Sequence, residues 1–312
     1  MRIGTRGSAL ALAQSEHVRT LLPAGAERHE LVRIVTTGDR EQDASLSAIG
    51  GKGIFTKEIE TALLEGRIDL AVHSLKDLPT EETPGLAIGA LLPREDPRDA
   101  LLARGGLTFE NLPKGARVGT SSLRRRSQLL ACRSDLTVLE LRGNVPTRIA
   151  RLEAGLFDAI VLALAGLKRL GMESEVTERF DEELMLPAPG QGIIAVQIRS
   201  DDSATAASVR KIHDETSEAE GTAERTLLTG LGGGCLVPVG ARGTVRACRL
   251  ALSGYVGAPG GTPWLRRSVE GDVSEAASLG RRLAEEMIAA GAKPILEDVR
   301  RGREVRADKV LP

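Results

Sequence analysis

The stretch "IFTKEIETALLEGRIDLAVHSLKDLP", residues 54–79, decides the fold. Ile59, Ala62 and Leu63 recur at helical spacing, and Gly66 supplies a stop. "IDLAV" then reads as a short apolar strand, and it ends in the polar loop "HSLKDLP". Working outward, "RIGTR", "SALALAQSEHVRTLL" and "LVRIV" precede it in strand–helix–strand order, the βαβ pattern of a mostly parallel sheet. "LPREDPRDALL", rich in proline and charge, breaks the pattern around Pro93–Pro97 and reads as a hinge.

A second block repeats the order with "RVGT", "SSLRRRSQLLACR", "TVLEL", "PTRIARLEAG" and "DAIVLA". "LPAPGQG", Leu186 to Gly192, is a second crossing, and "IIAVQIR" after it reads as a strand rejoining the first sheet. The expected fold class is α/β, two lobes joined by two crossings with a small α+β C-terminal domain. The expected boundaries are 1–93 with 192–212, 98–187, and 215–312. A cleft between two such lobes is the usual place for a ligand.

A length of 312 residues exceeds one hydrophobic core and agrees with several domains. Cys132, Cys235 and Cys248 form no CxxC pair and lie among four scattered histidines, which argues against a disulfide scaffold or a zinc site. Aromatic residues make up 2% of the chain, too few for the stacking platforms of single-strand nucleic-acid binding. No apolar run approaches membrane-spanning length, and Met1 runs straight into "RIGTR" without a signal-peptide pattern, so a cytoplasmic protein is expected.

The net charge of −1 conceals segregation: from Lys114 to Arg151 there are nine basic residues and two acids. "GTSSLRRR" places Thr120, Ser121 and Ser122 where they can cap a helix whose amide groups favour an anion. "LRGNVPTR" sets Arg142, Asn144 and Arg148 at the next strand-to-helix turn, and "GTRGSALA" sets Arg6 and Ser8 at another. Arginine forks suit carboxylates and phosphates alike. Asp77 offers one carboxylate to this cationic surface, placed to stabilise a positive charge developing on a ligand. "GGKGIF" lacks the Gly and Ser/Thr positions of a phosphate loop and reads as a loop beside the cleft contributing Lys52 and Phe55. His73 reads as a structural histidine. Cys235, behind three glycines in "LGGGCLVPVGA", is either a reactive thiol approached closely by flexible backbone or a small buried hydrophobe.

Eight strings, in order, resemble the porphobilinogen deaminase (hydroxymethylbilane synthase) family over nearly the whole chain: "RIGTRGSALALAQ", "GGKGIFTKEIETALLEGRIDLAVHSLKDLP", "PREDPRDALL", "VGTSSLRRRSQL", "LRGNVPTRIARLEAG", "DAIVLALAGLKRLG", "LPAPGQG" and "GGGCLVPVGA". The resemblance implies a transferase that joins four porphobilinogen molecules into 1-hydroxymethylbilane with release of ammonia. It also implies that the two lobes resemble those of periplasmic binding proteins, and a monomer that passes this product to uroporphyrinogen-III synthase. The same resemblance makes Cys235 the thioether anchor of a covalent dipyrromethane cofactor. Asp77 becomes the catalytic residue, assisting loss of ammonia and stabilising the azafulvenium cation. Cofactor contacts are implied for Lys76, Ser122, Arg124, Arg125 and Gly143. Substrate contacts are implied for Arg6, Ser8, Lys52, Phe55, Arg142, Arg148, Arg169 and Gln191. Cys132 and Cys248 are then packing residues. Pro189, Gln197 and Arg126 depart from the family pattern. A non-catalytic anion-binding protein of the same two-lobed build would explain the arginines and leave Asp77 and Cys235 without a role. A nucleic-acid binder would array its basic residues along one continuous surface.

Overall fold

A computed structural model of the chain describes residues 1–23, 28–37, 56–233 and 237–307. The first part runs β1 (Arg2–Thr5), α1 (Ala9–Leu21), β2 (Glu30–Arg33), α2 (Lys57–Leu64), β3 (Leu70–Ser74) and β4 (Leu86–Leu91). After a crossing come β5 (Asp99–Ala103), β6 (Arg117–Gly119), α3 (Leu123–Cys132), β7 (Thr137–Leu139), α4 (Val145–Glu153), β8 (Ala159–Ala163), α5 (Leu164–Arg169) and β9 (Glu178–Arg179). A second crossing leads to β10 (Ile194–Arg199) and α6 (Ser203–Val209). The chain then continues through α7 (Glu215–Gly230), β11 (Val239–Arg246), β12 (Arg249–Gly257), β13 (Trp264–Asp272), α8 (Ala276–Ala289) and α9 (Ala292–Ala307).

Two five-stranded sheets have the same plan, β2-β1-β3-β10-β4 and β7-β6-β8-β5-β9. In each, four strands run the same way, and the strand that arrives from a crossing runs antiparallel between two of them. β10 therefore returns to the first sheet as expected, but against the direction of β3. The opening stretch behaves as its pattern predicts. Gly66, at φ 65°, follows the last turn of α2, and the amides of Gly66 and Arg67 close that helix onto Leu63 and Ala62. β3 is buried from Leu70 to His73, as a strand covered on both faces must be. Leu70 and Val72 join Ile3, Val18, Val196 and Val209 on one face, while Ala71 joins Ile59, Ala62 and Leu63 on the other. The second lobe repeats this, Leu101 and Val161 facing one core and Leu102 and Ile160 another. A third core packs α7, α8 and α9 against the antiparallel sheet β11-β12-β13.

The C-terminal domain reaches both lobes. From α7, Glu220 and Glu224 bind Arg94 of the first crossing at 2.9 and 2.7 Å, and Glu224 also accepts the amide of Gly190 in the second crossing at 2.6 Å. Arg94 closes the circuit by donating to the carbonyl of Gln191 at 2.9 Å. On the other lobe, Arg126 donates to the carbonyls of Val138 and Pro259, and Ser127 meets the hydroxyl of Tyr255 at 2.8 Å. Cys132 and Cys248 are exposed rather than packed, because one closes α3 and the other lies in the turn between β11 and β12. His73 is buried as expected, though its Nε2 has no hydrogen-bond partner among the described residues.

Removing one partner from a buried charge pair strands the other. Glu224→Ala, which leaves Arg94 buried beside Glu220 alone, is expected to cost about 3–5 kcal/mol. Thermal melting should show a midpoint several degrees lower; an unchanged midpoint would contradict the role given to this cluster.

Candidate active site

Strand-to-helix turns from both lobes meet at a cleft of about 450 Å³. From the first lobe come Arg6, Gly7 and Ser8 between β1 and α1, with Lys76 and Asp77 in the single 3₁₀ turn after β3. From the second come Ser121 and Arg125 at the start of α3, Arg142 to Val145 before α4, Arg148, and Arg169 at the end of α5. Ser8 and Asn144 cap their helices by accepting the amides of Ala11 and Thr147, at 3.3 and 3.0 Å. Gly143 makes the turn before Asn144 possible: its φ is 97°, and a Cβ there would sit 2.9 Å from Thr147. Among the described residues the walls thus carry six basic side chains and one acid, Asp77.

Three of these cations are held by neutral acceptors, while Arg142 pairs with Glu140 at 2.6 Å. Lys76 donates to Gln191 Oε1 at 3.2 Å, Arg148 to the carbonyl of Gly143 at 2.7 Å, and Arg169 to the carbonyl of Gly192 at 2.6 Å. Arg125 pairs with Asp99 at 2.7 Å. Burial pushes the Lys76 ammonium down to about 8 against the pull of Asp77. Burial first, then the guanidinium of Arg125, pushes Arg148 down to about 10, and burial does the same to Arg169. Asp77 works in the opposite direction on Arg148, so the carboxylate of one lobe and the guanidinium of the other act on each other across the gap. Cations desolvated in this way gain most from incoming carboxylates, which restore the charged form and accept paired N–H bonds.

Of the expected site residues, Arg6, Ser8, Lys76, Asp77, Arg125, Gly143, Arg142, Arg148, Arg169 and Gln191 line the cleft together. Ser122 does not; it caps α3 behind Ser121, accepting the amide of Arg125. Arg124 turns inward, 3% exposed, and one guanidinium nitrogen donates to both Asp99 and the carbonyl of Leu186 at 2.6 Å. Cys235, Lys52 and Phe55 lie outside the described residues. Sequence reasoning missed Asp99, which is fully buried and accepts from Arg124, Arg125 and the side chain of Gln191. It also missed Gln14, which lines the cleft from α1 while donating to Ser74 at 2.8 Å. Neither has a local signal: Asp99 stands in a charged, proline-rich string, and Gln14 is one polar residue on a helix. Among the described residues no cluster of His, Cys, Asp and Glu could hold a metal ion, and no helix is long and apolar enough to cross a membrane.

Fold and site together define a two-lobed α/β protein whose cleft suits a ligand bearing several negative charges. The family model "Porphobilinogen deaminase, dipyromethane cofactor binding domain" matches residues 1–207, and "Porphobilinogen deaminase, C-terminal domain" matches 219–289. The chain belongs to the porphobilinogen deaminase family. It is 46% identical to the porphobilinogen deaminase of Geobacter sulfurreducens over 316 residues, covering 100% of this chain and 98% of that protein. It is 49% identical to that of Pelotomaculum thermopropionicum, covering 96% of each. Solved structures similar to it include a Salmonella typhimurium periplasmic binding protein with high arginine specificity, at 14% identity and TM-score 0.38 over 70% of this chain and 93% of that one. Another is the zinc-bound ligand-binding component of a Staphylococcus aureus ABC-type import system, at 12% identity and TM-score 0.38 over 72% and 76%.

The Lys76 charge sets a pH dependence. In the free protein the ammonium is lost as pH rises through about 8, so affinity for a polycarboxylate ligand should fall above that pH. Lys76→Arg, which keeps its charge, should move the fall to higher pH. Equilibrium binding of porphobilinogen between pH 7 and 10 checks this, and a flat profile in the parent protein would contradict it.

Proposed function

We propose that this chain joins four porphobilinogen molecules, one at a time, into 1-hydroxymethylbilane and releases one ammonia at each addition. The observation that carries the reading is a cleft where, among the described residues, six cations surround one carboxylate. Each substrate brings an acetate and a propionate arm, so the lengthening product gains negative charge with every step, and a wall of arginines has a specific partner for it. Arg6, Arg142, Arg148 and Arg169 bind these arms, with Lys76 held ready by Gln191. Ser8 adds a hydroxyl at the N-terminus of α1.

The walls also fit the cofactor named for the matching domain, because the enclosed cations Lys76, Arg148 and Arg169 have no carboxylate ion pair among the described residues. Its own acidic arms would be held by Lys76 and Arg125 with the backbone at Gly143, while Arg124 and Ser122 act from behind by fixing Arg125. Tethered to Cys235, a dipyrromethane supplies the pyrrole carbon to which substrate is added. Asp77 does the chemistry that falls to the protein. As the aminomethyl C–N bond of porphobilinogen breaks and ammonia leaves, the positive charge spreads over the pyrrole ring and its N–H, and the Asp77 carboxylate stabilises it. Lys52 and Phe55 take part in substrate binding in this reading. The reading extends to a transferase working as a cytoplasmic monomer, handing its product to uroporphyrinogen-III synthase. It also takes 1–93 with 192–212, 98–187 and 215–312 as the three domains.

The test is the intact mass of the purified protein. Active protein should exceed its polypeptide mass by two pyrrole units, and Cys235→Ser should lose both the excess and the activity. Active protein at the bare polypeptide mass would reject the proposal.

A further inference from the structure

The Asp77 carboxylate is exposed at the cleft, so its aim is set through the short turn that carries it. That turn is fastened at its start from its own lobe: the Leu75 amide donates to the carbonyl of Ile193 at 3.0 Å, and Lys76 reaches Gln191. Its far side is fastened from the C-terminal domain. On α7, Gly221 leaves room for Leu75, whose side chain would come within 2.9 Å of a Cβ there. One helical turn further on, Arg225 donates from Nη1 to the carbonyl of Leu78 at 3.1 Å and from Nη2 to the carbonyl of Pro79 at 2.7 Å. These are the two carbonyls that follow Asp77.

We infer that Arg225 is a positioning residue for Asp77, acting through the Leu78 and Pro79 carbonyls to hold the carboxylate at the correct place in the cleft. The inference rests on the reading of Asp77 given above and extends it. The chemistry favours arginine, because a planar fork reaches two acceptors at once and restricts both, whereas an ammonium is a single point donor on a flexible stem. The Leu78 and Pro79 carbonyls have left β3 and have no sheet partner to fix them.

The experiment uses primed holoenzyme, its loading checked by mass. Arg225→Ala should lower kcat about tenfold, the order of loss expected from a small misplacement of a reacting group, with KM changed less than about twofold. Arg225→Lys should stay low, and millimolar guanidinium should restore part of the Arg225→Ala rate. Because the residue acts through Asp77, its effect on an Asp77→Glu background should be smaller than on the parent. Arg225→Gln provides the same comparison if the alanine variant does not fold. Parent-like kcat in loaded Arg225→Ala or Arg225→Gln would overturn the inference, as would a penalty undiminished on Asp77→Glu. Those results alongside an inactive Asp77→Ala would leave the reading of Asp77 standing, whereas full turnover by Asp77→Ala would remove both.

Discussion

A single carboxylate with no access to water, that of Asp99, gathers the parts of the site. It lies at the first position of β5, accepts from Arg124 and Arg125 of α3, and is met by the side chain of Gln191 from the returning crossing. Burial alone would push its protonation toward higher pH, but the two guanidinium groups outweigh that and hold it far below the usual carboxylate range. One negative charge between two positive ones leaves a surplus, and Arg125 shows it to the cleft. Gln191 is also the acceptor for Lys76. The cation wall, the hinge and the turn bearing Asp77 are therefore connected through one buried anion. Removing a member of such a network leaves its partners charged and unsolvated, which is why its order is so strongly imposed.

The lobes and the third domain divide the work. The two sheets share one topology, and their strand-to-helix turns supply helix N-termini and basic side chains from opposite sides. The C-terminal domain binds the first lobe and both crossings through Glu220, Glu224 and Arg94, and the second lobe through Arg126 and Ser127. Arg126, the extra arginine of the "SSLRRR" string, has its explanation here: it faces the turn before β13 and not the ligand. The C-terminal domain is in this way anchored on the crossings and on the second lobe.

Much of this was legible in the sequence, where local pattern and local chemistry coincide. Helical spacing around Ile59, Ala62 and Leu63 and the apolar run 68–72 pointed to α2 and β3 because each element buries its own apolar face. The turns at Ser8, Ser122 and Asn144 were correct because caps are written in adjacent residues. What stayed hidden depends on distant neighbours. β5 lies in a string that reads as hinge, because the charge of Asp99 is balanced only by residues 25 positions away and more. Arg124 and Arg125 are adjacent in sequence yet placed differently, one turned inward and one lining the cleft, and the rotation of α3 against β5 decides which. Nothing local to Glu220 and Glu224 announces Arg94, 126 and 130 positions away.

The central claim is that cations hold the substrate while one carboxylate breaks its C–N bond, and a single-turnover experiment separates the two. Primed Asp77→Asn protein, mixed with one equivalent of porphobilinogen, should bind it with nearly the parent affinity yet release ammonia at least about 100-fold more slowly, the scale expected for losing one electrostatic stabiliser. Ammonia released at the parent rate would show that the charge on Asp77 is not what the cleft is built around.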